Sequence, residues 1–313
     1  MNASYTELLS TTLKEYKNQL VDNIFDSNAA FFLMKEKQKM SSGGERIVVP
    51  IMYATNETAG SYSGYDELDV TAQPAVTVAE YNWKLYYASI TISGEEEMKN
   101  RGERQLINLL ESKVKQSEMS LVADLTTGFF GSGSDSDDIV GVDAAIQETG
   151  TYGGIAGATH AYWRADTDET AETLSLADMT NTFNSCSKGG TDSPDIIVTD
   201  QTLYEKYESL MAAKLNINYE SRSKAGKMLG DAGFTALEFK GRPLVWDENC
   251  TSSNMYFINS KHLYFHVMEG RNFETTEFIK PTNQDARTAQ VLWMGNIVCD
   301  RRASLGAMRG KTA

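Results

Sequence analysis

The sequence has few of the residues on which most catalytic and metal sites are built. Its 313 residues include only three histidines and three cysteines. The cysteines Cys186, Cys250 and Cys299 form no C-x-x-C pair, so we expect buried, reduced thiols in a cytoplasmic setting. His262 and His266 are four residues apart, so they would share one face of a strand. No third ligand is in view, which favours packed histidine side chains over a zinc site. We therefore expect no catalytic residues, no metal site and no cofactor.

The sequence also lacks a long apolar run and an excess of basic residues. A membrane span needs about eighteen consecutive apolar residues, and none is present. The opening residues, MNASYTELLSTTLKEY, lack the basic and apolar segments of a secretory signal. The formal net charge is −14, which argues against a protein that grips nucleic acid through a basic face. It does not exclude a protein that encloses nucleic acid without gripping it.

The chain is organised around residues 41–93, in which two β-rich runs flank a long polar segment. The first run, residues 46–53, carries the β-branched side chains that are typical of a strand. The second run, residues 76–92, alternates apolar and polar side chains with a period of two. The apolar side chains have changed face by Ile90. This change predicts either a bulge near residues 86–88 or the passage of a free ribbon into a sheet.

The segment between the two runs has more than twenty residues, and fixing the backbone of each costs on the order of 1–2 kcal/mol. A two-stranded ribbon is only marginally stable in water, so either its tip is disordered or something outside the ribbon holds it. We interpret the ribbon as an arm that lies on another copy of the chain; the alternative is a flexible hairpin on a monomeric β protein. The candidate subunit-interface residues are Arg46, Tyr53, Tyr62, Tyr65, Asp66, Glu67, Tyr81, Trp83, Phe31 and Phe32.

Helical spacing predicts helices on both sides of the ribbon. Leucines recur at helical spacing within residues 5–20, and a short helix containing Phe31 and Phe32 follows. This N-terminal segment is either a second arm or folds back on its own body. After the ribbon, an apolar stripe and an acidic first turn predict a helix over residues 95–128, with an interruption at Gly102.

The second half of the chain mixes helices and strands without a regular βαβ repeat, which predicts the α+β class. Lys240-Gly241 lies between two β-rich runs and predicts a hairpin turn. Residues 216–231 are polar and predict a loop, whereas residues 289–301 predict a strand covered on both faces. Residues 306–312 resemble a phosphate-binding loop, but the spacing is one residue short and no helix follows. We expect them to form a basic, solvated tail.

The order of these parts resembles the major capsid proteins of tailed bacteriophages with the HK97-type fold. Stretches that look similar to that family are IVVPIMYATNETAGSYSGYDELD, AEYNWKLYYASITISGEEEMKN, TYGGIAGATHAYWR and VLWMGNIVCDRRASLGAMRG. The resemblance covers nearly the whole chain. It rests on several stretches in the right order, because these proteins have no catalytic signature.

The resemblance implies an α+β fold in which a long β-hairpin, the E-loop, lies across a neighbouring subunit. The loops of the axial domain would meet around the capsomer axis, with residues 216–231 as the candidate. The implied parts are an N-terminal arm (1–40), the E-loop (41–93), a peripheral domain (94–170 and 255–313) with a spine helix (95–128), and an axial domain (171–254).

The resemblance also implies a structural, non-enzymatic role. The chain would self-assemble into hexamers and pentamers of an icosahedral shell that encloses phage double-stranded DNA without sequence-specific binding. It would be a virion protein assembled in the host bacterial cytoplasm, with scaffolding and portal proteins as partners. Because no long segment precedes the N-terminal arm, we expect a separate scaffold. The alternatives are an encapsulin-like nanocompartment shell and an unrecognised soluble α+β hydrolase.

Overall fold

The computed structural model describes residues 29–99, 109–133, 137–190, 192–212 and 237–313. The α-helices are α1 (Ala29–Glu36), α2 (Gly94–Lys99), α3 (Leu109–Phe130), α4 (Val142–Ala145), α5 (Leu176–Cys186) and α6 (Gln201–Ala212). The strands are β1 (Lys39–Ser41), β2 (Ile47–Met52), β3 (Val76–Tyr81), β4 (Lys84–Ser93), β5 (Thr151–Tyr152), β6 (Ile155–Ala156), β7 (Asp166–Asp168), β8 (Ile196–Thr199), β9 (Leu237–Phe239), β10 (Arg242–Trp246), β11 (Met255–Ile258), β12 (Leu263–Thr275), β13 (Ala286–Cys299) and β14 (Gly306–Met308).

Three predicted features lie outside the described residues: the helix over residues 5–20, the interruption at Gly102 and the loop over residues 216–231. The chain divides into two compact units. The described part of the first comprises residues 85–99, 109–125 and 270–294. The rest of the described chain belongs to the second. No described helix is both long enough and apolar enough to cross a bilayer.

In the second unit, a six-stranded mixed sheet has the strand order β7-β14-β11-β8-β10-β9. The strands β8 and β11 are buried along their whole length, as expected for strands covered on both faces. Helices α5 and α6 supply Met179, Phe183, Leu203 and Tyr207 to the core that includes Ile197 of β8. This sheet and its two helices form the hydrophobic centre of the unit.

The predicted hairpin turn at Lys240-Gly241 is confirmed. The antiparallel strands β9 and β10 pair with Phe239 opposite Arg242, which leaves a two-residue connection. Lys240 and Gly241 have φ values of 51° and 73°, the left-handed pair that a type I′ turn requires. Gly241 adopts this conformation without the strain that a Cβ causes at Lys240.

The sheet of the first unit contains residues 270–275 of β12, residues 286–294 of β13, and β4, in that order. Helix α2 begins at a reciprocal cap, in which the Glu96 amide donates to Ser93 Oγ at 3.1 Å and the Ser93 amide donates to Glu96 Oε2 at 3.3 Å. Lys113 of α3 then donates to Glu96 Oε2 at 2.8 Å and to the Thr91 carbonyl at 3.1 Å. One lysine therefore fastens α3 to both the strand and the helix that precede it.

The long second run of the ribbon is not one strand. It divides into β3 and β4 at Asn82 and Trp83, and the buried side chains change parity across that break. Tyr81 is buried in β3, whereas Ile90 and Ile92 are buried in β4. Within β4 the alternation of exposed and less exposed side chains is unbroken from Leu85 to Ile92. The change of parity therefore falls at the break between β3 and β4, which favours the second of our two explanations: a two-stranded ribbon continues as a strand inside a larger sheet.

The helix predicted over residues 95–128 is helical where it is described, as α2 and α3, and it ends two residues later at Phe130. The prediction of a solvated tail over residues 306–312 is wrong. Its first part is β14, which lies between β7 and β11 in the six-stranded sheet. The Lys311 side chain is fully buried, and its Nζ lies 2.8 Å from both Asp168 Oδ2 and Glu172 Oε1. The basic charge is satisfied by carboxylates that are distant in sequence.

Candidate functional site

The candidate site is the β2–β3 hairpin, a two-stranded antiparallel ribbon in the second unit. Ile47 pairs with Tyr81 and Met52 with Val76, so the register is continuous along both strands. Because side chains alternate across a strand, each pair points to one of two faces. The inner face is buried within this chain and includes Ile47, Ile51, Ala79 and Tyr81.

The opposite face of the hairpin is apolar and exposed. Val48 is 57% exposed, Met52 78%, Val76 61% and Val78 42%, and the exposed Pro50 lies opposite Val78. We call these five residues the outer apolar face. Burying one such valine or methionine against a partner contributes about 1.5–3 kcal/mol. An exposed contiguous apolar surface of this kind typically marks an interaction site.

Beyond the outer apolar face, the ribbon opens into a tip formed by residues 54–74. Every residue from 59 to 74 is exposed. The tip also carries four acidic side chains and no basic ones. Its exposed large apolar residues are Tyr62 (67%), Tyr65 (107%), Leu68 (61%) and Val70 (91%), and its acidic residues are Glu57, Asp66, Glu67 and Asp69.

Local turns shape the tip. Asp66 Oδ2 accepts a hydrogen bond from the Ser63 amide at 2.8 Å, and the Asp66 amide donates to the Ser63 carbonyl at 3.1 Å. Asp69 Oδ1 accepts from both the amide and the hydroxyl of Thr71, which lowers the pKa of Asp69. The Asp69 carboxylate therefore remains charged at neutral pH, and both aspartates cap turns. The tip presents an ordered acidic surface with apolar side chains between the charges.

The base of the hairpin is fixed to its own unit. The buried Tyr81 hydroxyl donates to the Cys299 carbonyl at 2.7 Å, and burial raises the pKa of Tyr81, which keeps the phenol protonated as a donor. The Glu80 amide donates to the Gly153 carbonyl at 3.0 Å. At the opposite end of the ribbon, next to the tip, Tyr53 stacks on Tyr162 with ring centroids 5.1 Å apart. Both ends of the ribbon are therefore fixed to the second unit, whereas the outer apolar face and the tip are exposed.

The candidate interface residues fall into different environments. Arg46 makes an exposed ion pair with Glu80 at 2.8 Å. Trp83 is half-buried, and its indole donates to the Gly44 carbonyl at 2.8 Å. Phe31 is buried and lies 5.5 Å from the Phe265 ring in edge-to-face geometry.

Within this set, Tyr62, Tyr65, Asp66 and Glu67 are exposed on the tip, whereas Phe31 and Tyr81 pack inside their own chain. The side chain of Phe32 lies outside what the structure describes. Sequence inspection missed Met52, Val76, Leu68 and Val70. The alternation of side chains in β2 and β3 could have indicated Met52 and Val76, because when every second residue of a strand is buried, the residues between them point outward.

A second exposed apolar surface lies in the first unit. It is a groove on the sheet in which Leu85 and Tyr87 are 65% and 68% exposed. Two of its lining residues, Tyr86 and Trp293, meet edge to face with ring centroids 6.0 Å apart. The lining residues are Leu85, Tyr86, Tyr87, Arg271, Gln290, Leu292 and Trp293.

Two other kinds of reactive site were expected to be absent, a metal centre and a reactive thiol. Within the described ranges, no group of three His, Cys, Asp or Glu side chains is arranged to hold a metal ion. The three cysteines are buried and unpaired, and burial raises the pKa of Cys186 and Cys299 well above that of a reactive thiol.

No family model and no curated protein matches this sequence. Solved structures do match it along its whole length. The chain is similar to a chain of the cyanophage A-1(L) capsid, with a TM-score of 0.77, 16% identity and 100% of each chain covered. It is also similar to a capsid chain of the native GTA particle, with a TM-score of 0.69, 10% identity and full coverage of both chains. A chain of Mycobacterium phage Bobi matches with a TM-score of 0.60 and 11% identity over 99% of each chain.

These likenesses show the fold. The chain has the α+β fold of phage capsid proteins from end to end, and the fold class predicted from the sequence is confirmed. The resemblance to tailed-phage capsid proteins is likewise confirmed at the level of fold. The division into arm, E-loop, peripheral domain and axial domain stays a prediction.

Proposed function

We propose that this chain is a major capsid protein that assembles into the hexamers and pentamers of an icosahedral shell enclosing phage double-stranded DNA. The observation that carries the proposal is the match over the full length of both chains to the cyanophage A-1(L) capsid. Because the match covers all of both chains, no segment of this chain lies outside the shared fold to suggest a different role. The role is structural rather than catalytic.

The β2–β3 hairpin supports this proposal because it carries a surface that its own unit does not cover. Five apolar side chains of the outer apolar face are exposed in a single copy. In a ring of identical subunits, each copy offers one arm and accepts one, so a heterologous contact closes without leaving arms unused. We infer that the outer apolar face of each copy lies on a neighbouring copy.

The charge of the tip indicates what the receiving surface offers. Four carboxylates without a basic residue disfavour an acidic receiving surface, because like charges across an interface cost several kcal/mol, and lysine or arginine groups would complement them best. Ion pairs between the exposed tip and a neighbouring subunit would be screened by salt. Assembly should therefore weaken at high ionic strength to the extent that the tip contributes.

Further partners belong to the same proposal. A scaffolding protein and a portal protein would accompany the shell, and assembly would take place in the host bacterial cytoplasm before the protein becomes part of the virion. The net charge of −14 fits a wall that encloses DNA without binding it tightly.

The decisive experiment is electron microscopy of the full chain expressed with its scaffold where one is needed, with wild type compared against Met52→Glu. Met52 is 78% exposed, so the substitution should leave the monomer's circular dichroism and unfolding midpoint unchanged. It places a charge at the tip end of the outer apolar face, where burial against a neighbour is unfavourable. We expect closed shells from wild type and a loss of at least tenfold in shell yield from the variant.

A matched control is Met40→Glu, which places the same charge on an exposed methionine of β1 outside the hairpin. This variant should form shells at the wild-type yield. Shells from Met52→Glu at the wild-type yield would remove the hairpin from the interface. A wild-type chain that stays monomeric with scaffold present would overturn the capsid assignment itself.

A further inference from the structure

His262 lies between two carboxylates, one at each ring nitrogen. Its Nδ1 is 2.6 Å from Asp300 Oδ1, and its Nε2 is 2.8 Å from Asp192 Oδ2. The imidazole and the Asp192 side chain are each nearly buried, at 12% and 13% exposure. His262 belongs to the turn before β12, Asp300 follows β13, and Asp192 belongs to the bridge between Lys188 and Asp192 that precedes β8.

The two contacts together fix the charge of the ring. A neutral imidazole has one N–H donor and one lone pair, whereas an imidazolium has two donors. Two carboxylate oxygens at hydrogen-bond distance from the two nitrogens require two donors, because a lone pair facing a carboxylate is repulsive. The arrangement seen here is therefore that of a charged His262.

The two carboxylates differ in what else holds them. Asp192 also accepts from Asn259 Nδ2 at 2.9 Å and from Arg301 Nη1 at 3.1 Å, with Lys261 Nζ 3.9 Å away. Among the described residues, the Asp300 side chain accepts a hydrogen bond from His262 alone. When only one N–H remains, keeping it on Asp300 leaves no carboxylate without a donor. The contact that breaks is the one to Asp192.

We infer that His262 is a proton-controlled latch. Its charged ring supplies one of the hydrogen bonds that fasten Asp192, and with it the Lys188–Asp192 bridge. Deprotonation removes that bond and loosens the bridge, while the bonds from Arg301 and Asn259 remain. The charged and titratable groups that surround the ring are Asp192 and Asp195 before β8, Lys261 in its own turn, Tyr264 on β12, and Asp300 and Arg301 after β13. The latch is independent of the proposed function.

The direction of the pH response follows from these contacts. The hydrogen bond that His262 donates to Asp300 raises the pKa of His262, burial opposes the rise, and the hydrogen bond to Asp192 adds to it. A group whose folded pKa is raised contributes its full stability below the unfolded value of about 6.5 and loses it as the pH rises through the folded value. The bridge should therefore be held at acidic pH and should open more often as the pH rises.

Amide hydrogen exchange on the purified full chain tests the latch, with protection factors corrected for the intrinsic pH dependence of exchange. The reporters are the amides of Lys188 and Asp192, which donate to each other's carbonyls at 2.8 and 3.3 Å. Their protection should fall as the pH rises through the range in which His262 loses its proton, by at most about tenfold per pH unit, and then level off. In His262→Gln, which carries no titrating charge, the protection should be low and independent of pH.

Two further variants complete the test. Asp300→Asn removes the largest cause of the raised pKa, so the fall in protection should move to lower pH. His160→Gln is the matched control: His160 is exposed and contacts the Tyr162 ring, so it should keep the wild-type profile. A wild-type protection factor that does not change with pH, or a profile unmoved by Asp300→Asn, would overturn the proposal even if His262→Gln fails to fold.

Discussion

Arg302 provides the sharpest test of how the second unit is held together. Its side chain is fully buried, and every hydrogen bond that its guanidinium makes to the described residues goes to a backbone carbonyl. Nε donates to Ala145 at 2.7 Å, Nη1 to Gly150 at 2.9 Å, and Nη2 to Gln147 at 2.6 Å. The segment after α4 thus folds around one cation, which supplies the donors that its carbonyls need.

The cost of removing that cation can be estimated from these bonds. A hydrogen bond to a charged group contributes about 1.5–3 kcal/mol net, and three of the bonds are short. Arg302→Met keeps much of the volume and removes every donor, so we expect a loss of about 4 kcal/mol. Because a whole domain is stable by about 5–15 kcal/mol, this change leaves the fold marginal. Arg302→Lys supplies one ammonium to the same carbonyls and should cost about half as much.

Urea unfolding of the unassembled chain, followed by circular dichroism, measures these differences. Trp163 is an internal reporter, because it is buried and its indole donates to the Tyr152 carbonyl near the same segment. The control is Arg287→Met, since Arg287 is 59% exposed and pairs with Glu97 at 3.5 Å. It should stay within about 1 kcal/mol of wild type. An Arg302→Met midpoint equal to that of wild type would show that the carbonyls do not depend on the guanidinium.

Two further predictions concern other buried contacts. Tyr81→Phe removes the hydroxyl that donates to the Cys299 carbonyl and should lower the free energy of unfolding by about 1–2 kcal/mol; a midpoint unchanged in urea would mean that packing alone fixes the hairpin base. Lys311→Met removes a buried partner of Asp168, whose pKa is lowered by the Lys311 hydrogen bond although burial opposes that shift. A lowered folded pKa contributes stability above the unfolded value of about 3.9 that is lost as the pH falls, so acid unfolding of the variant should show a weaker pH dependence than wild type; equal slopes would contradict this.

The features of the fold that could be predicted depend on side-chain periodicity and backbone angles within short stretches of sequence. The two strands of the hairpin, the turn at Lys240-Gly241 and the helical stripe before Phe130 each follow from periodicity or from a required backbone angle. The fold class followed from the order of these parts. Each of these features depends on residues that are close in sequence.

Features that depend on distant residues could not be predicted. The alternation of apolar residues continues through Trp83, so the break between β3 and β4 is visible only from which strands pair. Arg302 and Lys311 are of residue types that are usually exposed, and the partners that allow their burial lie far away in sequence. For the hairpin, the sequence indicated a projecting arm, but only the strand register shows which side chains form the outer apolar face.

The position of β14 constrains how the chain can fold during synthesis. This strand lies between β7 and β11, pairing in parallel with one and antiparallel with the other. Because translation proceeds from the N-terminus, β7 leaves the ribosome long before its neighbour exists. Pairing between strands so far apart in sequence is slow, because the entropy cost of closing the long loop comes before any stabilising contact forms. A nascent molecule therefore carries an open sheet edge until its last strand arrives, and chaperone binding at that edge would protect it from joining another chain.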